Sequence, residues 1–201
     1  MNGKVVALVG RGTDLDRAIA VQCAEAGASV ALATVADVQE QEFAVNSIAN
    51  EVWSIGGAHF VRLMYAWEAD QATSFADECW DRLQRCDALV INSSAWSRAP
   101  LEELSADEWD NTVRATLTTP FIVAQAFGRL MVREGAGRIV VVSPERPNGD
   151  LSEAAALAGL RATIAGMQRE WGPEGVGFHL LDGPDADEAG AASRVFELLQ
   201  G

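Results

Sequence analysis

The chain has 201 residues, of which 49% are apolar and 22% are charged, a balance that is ordinary for a globular domain. Its formal net charge of −14 excludes the broad basic face that binding to nucleic acid or to an anionic membrane surface requires. The longest early apolar run, Val5 to Val9, is too short for a signal-peptide core or a membrane span. We therefore expect one cytoplasmic domain over residues 1–201, with neither nucleic acid nor a membrane as partner.

The chain begins with a buried strand that leads through a glycine turn into a helix. The run Val5–Val9 is followed by Gly10 and Gly12, and then by two acidic residues, Asp14 and Asp16. In nucleotide-binding turns, glycines let the backbone close on a phosphate group, which lies on the free N–H groups of the next helix. Here carboxylates stand where that phosphate would lie, and we predict that Asp14 caps the helix.

Short apolar runs alternate with segments of helical period along the whole chain, which indicates repeated βα units and a parallel sheet. The runs are mostly apolar throughout, as strands covered on both faces must be. The predicted strands are Val5–Val9, Ser29–Ala33, Phe60–Leu63, Ala88–Ile91, Arg138–Val142 and Gly177–Leu181. We expect a doubly wound, Rossmann-like α/β sandwich of about six parallel strands in the order 3-2-1-4-5-6, with any ligand crevice at the carboxyl ends of the strands.

Two of the predicted helices, the second and the third, carry an apolar stripe that faces the sheet. The second aligns Val45, Ile48, Ala49, Val52 and Trp53, and the third aligns Phe75, Ala76, Cys79, Trp80 and Leu83. The fourth opens with a capping box at Ser105 and runs towards Glu134, with a kink expected at Pro120. The fifth begins at Asp150, and a final short helix runs from about Asp187 to Leu199.

The cysteines give no indication of a metal site. Cys23, Cys79 and Cys86 are odd in number and fall in helical patterns, which favours reduced thiols in a reducing compartment. Cys79 and Cys86 are seven residues apart on one helix face, but neither His59 nor His179 has zinc-ligand spacing to them. We predict that the protein binds no metal.

Five segments together resemble the short-chain dehydrogenase/reductase family over nearly the whole chain. They are Gly10–Ala20, Asp87–Ser94, Asp107–Trp109, Gly137–Ser143 and Gly172–Val176. The first is similar to the family's Gly-x-x-x-Gly-x-Gly turn, the second to the strand that ends in Asn-Asn-Ala-Gly, and the others to the next three blocks in the family's order. The resemblance implies a Rossmann-like fold, NAD(P)-dependent oxidoreductase chemistry and a homodimer through the fourth and fifth helices.

The resemblance also places the family's catalytic positions on unusual residues. Relatives use a tyrosine and a lysine four residues later, on the fifth helix, as proton donor and as the cation that holds the nicotinamide ribose. This chain has one tyrosine, Tyr65, and one lysine, Lys4, and the family positions fall on Glu153 and Leu157. The family's catalytic serine falls on Ser143 or on its neighbour Pro144, and its helix asparagine matches Thr116. The catalytic candidates are therefore Ser143, Thr116 and Glu153.

The candidate cofactor-binding residues follow from the same resemblance. They are Gly10, Arg11, Gly12, Thr34 and Asn92. Asp14 and Asp16 replace the second and third glycines of the turn and oppose phosphate binding. A carboxylate about 5 Å from a phosphate costs on the order of 3 kcal/mol at an effective dielectric constant near 20, whereas a helix dipole returns only about 1 kcal/mol.

These departures lead us to expect a scaffold that has lost hydride transfer, binds no cofactor and acts as a homodimer or a partner-binding protein. Relatives also carry a substrate-covering segment after the position of Pro184, where seventeen residues follow here. One alternative is an atypical NAD(P)-dependent oxidoreductase for an unknown carbonyl or alcohol, in which Ser143, Thr116 or Glu153 polarises the carbonyl. Another is a binding module for an uncharged or cationic small molecule, attracted by Asp14, Asp16 and the negative field.

Overall fold

The structure is a computed structural model that describes residues 1–95, 98–143, 149–182 and 188–200, with the backbone alone at 188 and 189. Its strands are β1 (Val5–Gly10), β2 (Ser29–Thr34), β3 (His59–Arg62), β4 (Ala88–Asn92), β5 (Gly137–Ser143) and β6 (Val176–Asp182). Each predicted strand is present, with bounds that agree to within one residue at either end.

The helices that separate the strands also follow the predicted order. They are α1 (Asp14–Glu25), α2 (Gln39–Ser54), α3 (Ala69–Leu83), α4 (Ala106–Val113), α5 (Thr119–Glu134), α6 (Leu151–Trp171) and α7 (Glu188–Gln200). A π-helical turn, Arg114–Thr118, joins α4 to α5. Within the described ranges, no helix has both the length and the apolar character that crossing a bilayer requires.

The six strands form one parallel sheet in the order β3-β2-β1-β4-β5-β6, which confirms the predicted topology. The register brings the carboxyl ends of the central strands level with one another, since Gly10 of β1 lies opposite both Thr34 of β2 and Asn92 of β4. The order reverses between β1 and β4, so the chain leaves these two neighbouring strands towards opposite sides of the sheet.

The sheet is covered on both faces because side chains along each strand alternate between two apolar clusters. In β1, Ala7 and Val9 belong to the cluster that contains Phe75 of α3 and residues of α5 and α6. Val6 and Leu8 belong to the other cluster, beneath α1, α2 and α7. The three-layer arrangement predicted from the apolar runs is therefore present.

The apolar stripe predicted for α2 is correct except at its end. Val45, Ile48, Ala49 and Val52 are buried, whereas Trp53 is 70% exposed. One residue advances a helix by about 100°, so the position after Val52 lies beyond the edge of the buried stripe. The prediction that Trp53 contributes to the core is wrong.

The fourth predicted helix is interrupted by the π-helical turn rather than simply kinked at Pro120. A proline has no backbone N–H, and its ring excludes the carbonyl four residues earlier, which belongs to Thr116. The N–H of Thr119 donates instead to the carbonyl of Arg114, five residues earlier. A wider turn just before Pro120 therefore replaces the regular helical hydrogen bonds.

Candidate functional site

The carboxyl ends of β1, β4 and β5 lie side by side and carry Gly10, Asn92 and Ser143. The strand order reverses between β1 and β4, and open parallel sheets bind ligands in the crevice at such a point. The walls of this crevice are the turn between β1 and α1, the segment after β4 and the end of β5. Residues 144–148, predicted to form a loop within the domain, lie outside the described residues.

The turn after β1 is capped by Thr13, not by Asp14 as predicted. Thr13 Oγ1 accepts a 3.2 Å hydrogen bond from the N–H of Asp16, and Asp16 Oδ2 accepts a 2.8 Å bond from the N–H of Thr13. This reciprocal capping box requires an acceptor three residues after the cap, so Asp14, at the exposed first position of the helix, cannot form it. The pattern Thr-x-x-Asp was a sequence signal for this arrangement.

The Asp16 side chain is fully buried within the turn and is surrounded by donors. Asn92 Nδ2 donates to its Oδ1 at 2.8 Å, while Thr13 Oγ1 donates to its Oδ2 at 3.0 Å and the N–H of Gly12 also bonds to it. Burial raises the pKa of Asp16, and the hydrogen bonds from Asn92, Thr13 and Gly12 act in the opposite direction. A Cβ atom at Gly10 would lie 2.6 Å from this carboxylate, so Gly10 provides the space that the carboxylate fills.

Arg11 provides a cation beside the same turn. Its Nη2 donates to the carbonyl of Ser93 at 3.0 Å, which links the ends of β1 and β4. Its Nε is buried and has no hydrogen-bond partner among the described residues. Burial lowers the pKa of Arg11, and the nearby Asp16 carboxylate acts against this shift. A buried N–H of a guanidinium that lacks an acceptor favours an incoming anion.

Gly12 is required both by the backbone conformation and by packing. Its φ of +79° lies in the left-handed region, which side chains disfavour. A Cβ atom there would also collide with Ala44 of α2. The turn therefore needs glycine at this position whether or not a ligand binds.

Thr34 lies at the end of β2, but its hydroxyl is already engaged. It is buried, donates to the carbonyl of Met64 at 3.1 Å and accepts from the N–H of Met64 at 2.9 Å. These bonds fasten β2 to the segment after β3. The hydroxyl proton of Thr34, a predicted cofactor-binding residue, is therefore used within the protein.

Two serine hydroxyls meet at the ends of β4 and β5. Ser94 Oγ donates to Ser143 Oγ at 2.8 Å and also lies 3.4 Å from the carbonyl of Val142. Ser143, a predicted catalytic candidate, is buried, and Ser94 is partly buried. Ser94 was not among the predicted site residues, although its place two residues after Asn92 puts it in the crevice wall.

Thr116 lies in the π-helical turn and is tied to the segment after β4. Its Oγ1 donates to the carbonyl of Ala95 at 3.1 Å, and Ser93 Oγ donates to the carbonyl of Ala115 at 2.7 Å. Turns of this kind occur frequently at functional sites. The structure therefore brings Thr116 to the same region as the serine pair, with its hydroxyl bonded to the backbone.

The start of α6 carries the third catalytic candidate, Glu153. Asp150 is the N-cap, as predicted, and its Oδ1 accepts from the N–H groups of Ser152 at 2.9 Å and of Glu153 at 3.2 Å. Glu153 is buried, and its carboxylate packs where a Cβ atom of Gly149 would lie. Leu157, one turn later, is also buried.

The tyrosine and the lysine of the chain lie elsewhere. Tyr65 follows β3, and its hydroxyl donates to the carbonyl of Asp37 at 3.3 Å. Lys4 precedes β1, and its Nζ lies 2.9 Å from Asp87 Oδ1. Lys4 is thus at the amino end of the strands, opposite the crevice.

The described residues contain no group of three or more histidine, cysteine, aspartate or glutamate side chains that could hold a metal ion. The three cysteines are buried and form no disulfide bond.

The chain belongs to the short chain dehydrogenase family, because the family model matches residues 4–182. A curated relative, the D-threitol dehydrogenase of Mycolicibacterium smegmatis, is 28% identical over 180 residues, which is 88% of this chain and 67% of that enzyme.

Solved structures share the fold. A metagenomic short-chain oxidoreductase in complex with NADP superposes with a TM-score of 0.86 and 23% identity, over 100% of this chain and 91% of that one. A Beutenbergia cavernae protein assigned as an NAD(P) dependent gluconate 5-dehydrogenase, with NADP bound at low occupancy, gives a TM-score of 0.79 and 27% identity. This match covers 96% of this chain and 80% of that protein.

These comparisons overturn the expectation of a non-catalytic scaffold without a cofactor, which is wrong. The family consists of dehydrogenases, the curated relative is named as one, and two of the structures that superpose on this chain hold NADP. Unusual single residues in the turn and in α6 are therefore weaker indicators of function than the family match over residues 4–182. The crevice that they border is retained in the fold.

Proposed function

We propose that this protein is an NAD(P)-dependent oxidoreductase that acts on a carbonyl or alcohol group. The observation that carries the proposal is the bonded pair of hydroxyls, Ser94 and Ser143, at the carboxyl ends of β4 and β5. The family match and the dehydrogenase names of the relatives support the reaction class. The D-threitol dehydrogenase among the relatives makes small polyols and their ketoses the first substrates to test.

The crevice residues fit the phosphate groups of a nicotinamide dinucleotide at Arg11. Its buried Nε has no partner among the described residues, and its positive charge lies at the ends of β1 and β4. Gly12 keeps the adjacent backbone free of a side chain, although the N–H groups of Gly12 and Thr13 are engaged by Asp16. When bound, the cofactor supplies the hydride or accepts it.

Ser143 is the residue that we assign to polarise the substrate carbonyl. Negative charge develops on the carbonyl oxygen as hydride arrives at carbon, and a positioned O–H donor stabilises that charge. Ser94 donates its proton to Ser143 Oγ, so the proton of Ser143 remains available for the substrate. A hydroxyl that accepts a hydrogen bond also becomes a stronger donor.

We further propose that the proton transfer proceeds without the tyrosine and lysine pair of the family. We match Glu153, in the first turn of α6, to the family's tyrosine, and Leu157, one turn later, to its lysine. A carboxyl group at that place can exchange a proton with the substrate oxygen. Thr116, whose hydroxyl is bonded to Ala95, positions the segment after β4.

Titration of the protein with NADPH and NADH, followed by turnover on a panel of polyols, aldoses and ketoses, tests the proposal. We expect dinucleotide binding, and a fall in kcat of at least about a hundredfold in Ser143→Ala, the usual effect of losing a donor that stabilises developing negative charge on the substrate oxygen. Ser74→Ala, an exposed serine of α3, is the matched control and should leave turnover unchanged. Absence of binding, or full activity in Ser143→Ala, would overturn the assignment.

We propose in addition that the protein forms a homodimer through α4, α5 and α6. Large apolar side chains on these helices are exposed, namely Trp109 at 37%, Phe121 at 41% and Leu151 at 52%. Covering them would remove apolar surface from water. Light scattering should give twice the chain mass, and Phe121→Asp should give the single-chain mass.

A cytoplasmic location is also a proposal, supported by the thiols. Cys23, Cys79 and Cys86 are buried in α-helical and strand-flanking positions and form no disulfide bond. Reducing compartments preserve such thiols. Fractionation of cells that express the untagged chain would test the location.

A further inference from the structure

We propose that Asp16 sets the affinity of the crevice for the dinucleotide: its carboxylate holds the backbone N–H groups that would otherwise face a phosphate, and Arg11 binds the phosphate in their place. The inference rests on the proposed function, since it concerns how this chain binds the cofactor. It follows from the structure of the turn between β1 and α1.

The Asp16 carboxylate takes up both the donors and the space of the glycine turn. The N–H of Thr13 donates to it at 2.8 Å, and the N–H of Gly12 bonds to it as well. Its atoms lie 2.6 Å from the position of a Cβ atom on Gly10, so they fill the cavity that this glycine leaves. A phosphate at the start of α1 would need the same donors and the same space.

The carboxylate is also fixed from the opposite wall of the crevice. Asn92 Nδ2, at the end of β4, donates to Oδ1 at 2.8 Å, while the donors of the turn satisfy Oδ2. Asp16 is fully buried, so moving it out would break hydrogen bonds to two different elements. An anion that enters the crevice therefore meets the fixed negative charge of Asp16, and the N–H groups bonded to this carboxylate are not free to bind the anion.

Arg11 is the counter-charge within this turn. One nitrogen of its guanidinium is held by the carbonyl of Ser93, whereas Nε is buried without a partner among the described residues. A guanidinium presents several N–H groups in a fixed plane, which suits the oxygens of a phosphate. The Arg11 side chain, rather than the backbone N–H groups of the turn, therefore provides the contact to the phosphate.

Removal of the Asp16 charge should strengthen cofactor binding. A like charge about 5 Å from a phosphate, at an effective dielectric constant near 20, weakens binding by roughly a hundredfold or more. We expect Asp16→Asn to lower the Kd for the dinucleotide at least about tenfold, since the Asn92 carboxamide can turn over to accept from the new amide. Asp16→Gly, which also clears the space above Gly10, should lower it further.

Two residues of α1, Asp14 and Arg17, provide matched controls. Asp14→Asn removes the same charge two positions earlier, from a side chain in solvent, and should change the Kd less than about threefold because water screens it. Arg11→Gln should raise the Kd at least about tenfold. Arg17→Gln, which removes an arginine paired with Glu51 of α2, should leave it nearly unchanged.

The experiment is calorimetric titration of the wild type and these variants with NADP+ and NAD+ at one ionic strength, each variant first checked for a cooperative unfolding transition. If the wild type binds, and Asp16→Asn and Asp16→Gly bind no more tightly than Asp14→Asn, the inference is overturned and the proposed function stands. If only the Asp16 variants bind, the inference is supported and the proposed function fails for the natural chain. If none binds, both fail.

A crystal structure of the wild type with NADP+ tests the inference without any substitution. A phosphate oxygen in hydrogen-bond contact with Arg11, with Asp16 still bonded to Thr13 and Asn92, supports it. A phosphate seated on the N–H groups of Gly12 and Thr13, or without contact to Arg11, overturns it.

Discussion

Ser94 Oγ and Ser143 Oγ lie 2.8 Å apart, and this hydrogen bond joins the carboxyl ends of β4 and β5. A hydroxyl has one proton to donate, so within such a pair only one partner can donate to the other. With Ser94 as the donor, Ser143 keeps its proton for a substrate. The two serines should therefore affect turnover to different extents.

Ser94→Ala should lower kcat about fivefold, the effect expected when a neutral hydrogen bond worth about 1 kcal/mol is lost. In the Ser143→Ala background, the same substitution should have no further effect, because the bond no longer exists. Steady-state turnover of the wild type, the two single variants and the double variant provides the comparison. Equal losses from Ser94→Ala in both backgrounds would show that Ser94 acts independently of Ser143.

Gly12→Ala should destabilise the fold more than Gly56→Ala. Both glycines have positive φ values, +79° and +91°, so each alanine carries a strain of about 1–2 kcal/mol. Only the alanine at position 12 also collides with a neighbour, Ala44, which adds about 1–3 kcal/mol. Urea unfolding measures both losses. Equal losses in the two variants would mean that α2, which carries Ala44, shifts away from the new side chain without a cost in stability.

Asp87 should make the fold sensitive to acid. Partial burial acts to raise its pKa, but hydrogen bonds from Arg85, Lys4 and the N–H of Val5 hold the pKa of Asp87 below its ordinary value. A carboxylate whose pKa is lower in the folded state stabilises the fold fully above its unfolded pKa, and this stabilisation is lost as the pH falls through the folded value.

The corresponding substitution is Asp87→Asn. At pH 7 it should lower the free energy of unfolding by about 1–2 kcal/mol, because bonds to a charged acceptor are weakened. The difference from wild type should begin to shrink below about pH 4, where the carboxylate of the unfolded chain becomes protonated, and should close as the pH falls through the lower pKa of the folded state. Urea unfolding between pH 7 and pH 3 measures this difference in the free energy of unfolding. The control is Asp70→Asn, which removes an exposed carboxylate of α3. A difference that stays constant with pH would contradict this account.

The three cysteines should be unreactive in the folded protein. Burial raises the pKa of Cys23 and of Cys86 to about 12, and burial with the nearby Cys86 and Glu78 also raises that of Cys79. The thiolate is the reactive form, so at pH 8 a thiol reagent should label the native protein only as fast as it unfolds. In protein unfolded by urea, all three thiols should react as soon as the reagent is mixed in. Rapid labelling of one native thiol would contradict the burial.

Ser93→Ala should destabilise the π-helical turn. The Ser93 hydroxyl satisfies the carbonyl of Ala115, and its loss leaves a buried acceptor without that donor at a cost of about 1–3 kcal/mol. Ser74→Ala removes an exposed hydroxyl and should cost less than about 0.5 kcal/mol. Thermal and urea unfolding of the two variants give the comparison, and similar losses would show that another group replaces Ser93.

The fold was predictable because its information lies in short, local patterns. A strand covered on both faces must be apolar at nearly every position, and runs such as Val5–Val9 and Ala88–Ile91 meet this requirement. Helix starts were marked by capping residues such as Ser105 and Asp150, which the structure confirms. The π-helical turn was not predicted, because Pro120 indicates an interruption without specifying which hydrogen bonds replace the lost ones.

The sequence predicted the location of the site, because the strand ends determine it, but not the contacts of the side chains within the site. Ser143 and Asn92 lie where β5 and β4 end, and the topology brings those ends to one crevice. Which side chain of the turn folds inward depends on its position within the first helical turn, and here that is Asp16 rather than Asp14. The engagement of Thr34 by Met64 depends on a contact between residues thirty positions apart, which no local pattern encodes.

The π-helical turn between α4 and α5 also changes the direction in which the side chains of α5 point relative to those of α4. An extra residue in a helical turn rotates everything beyond it by about 100°. Before the turn, α4 lies against α6; after it, α5 still contacts α6 and also packs against α3, where Phe127 meets Phe75 at 5.4 Å between ring centres. The π-helical turn thus rotates the contact face of α5 relative to that of α4, so one continuous helical segment packs against two neighbouring helices. Deleting one residue from 114–118 would swing Phe127 out of the core and leave α3 without its partner.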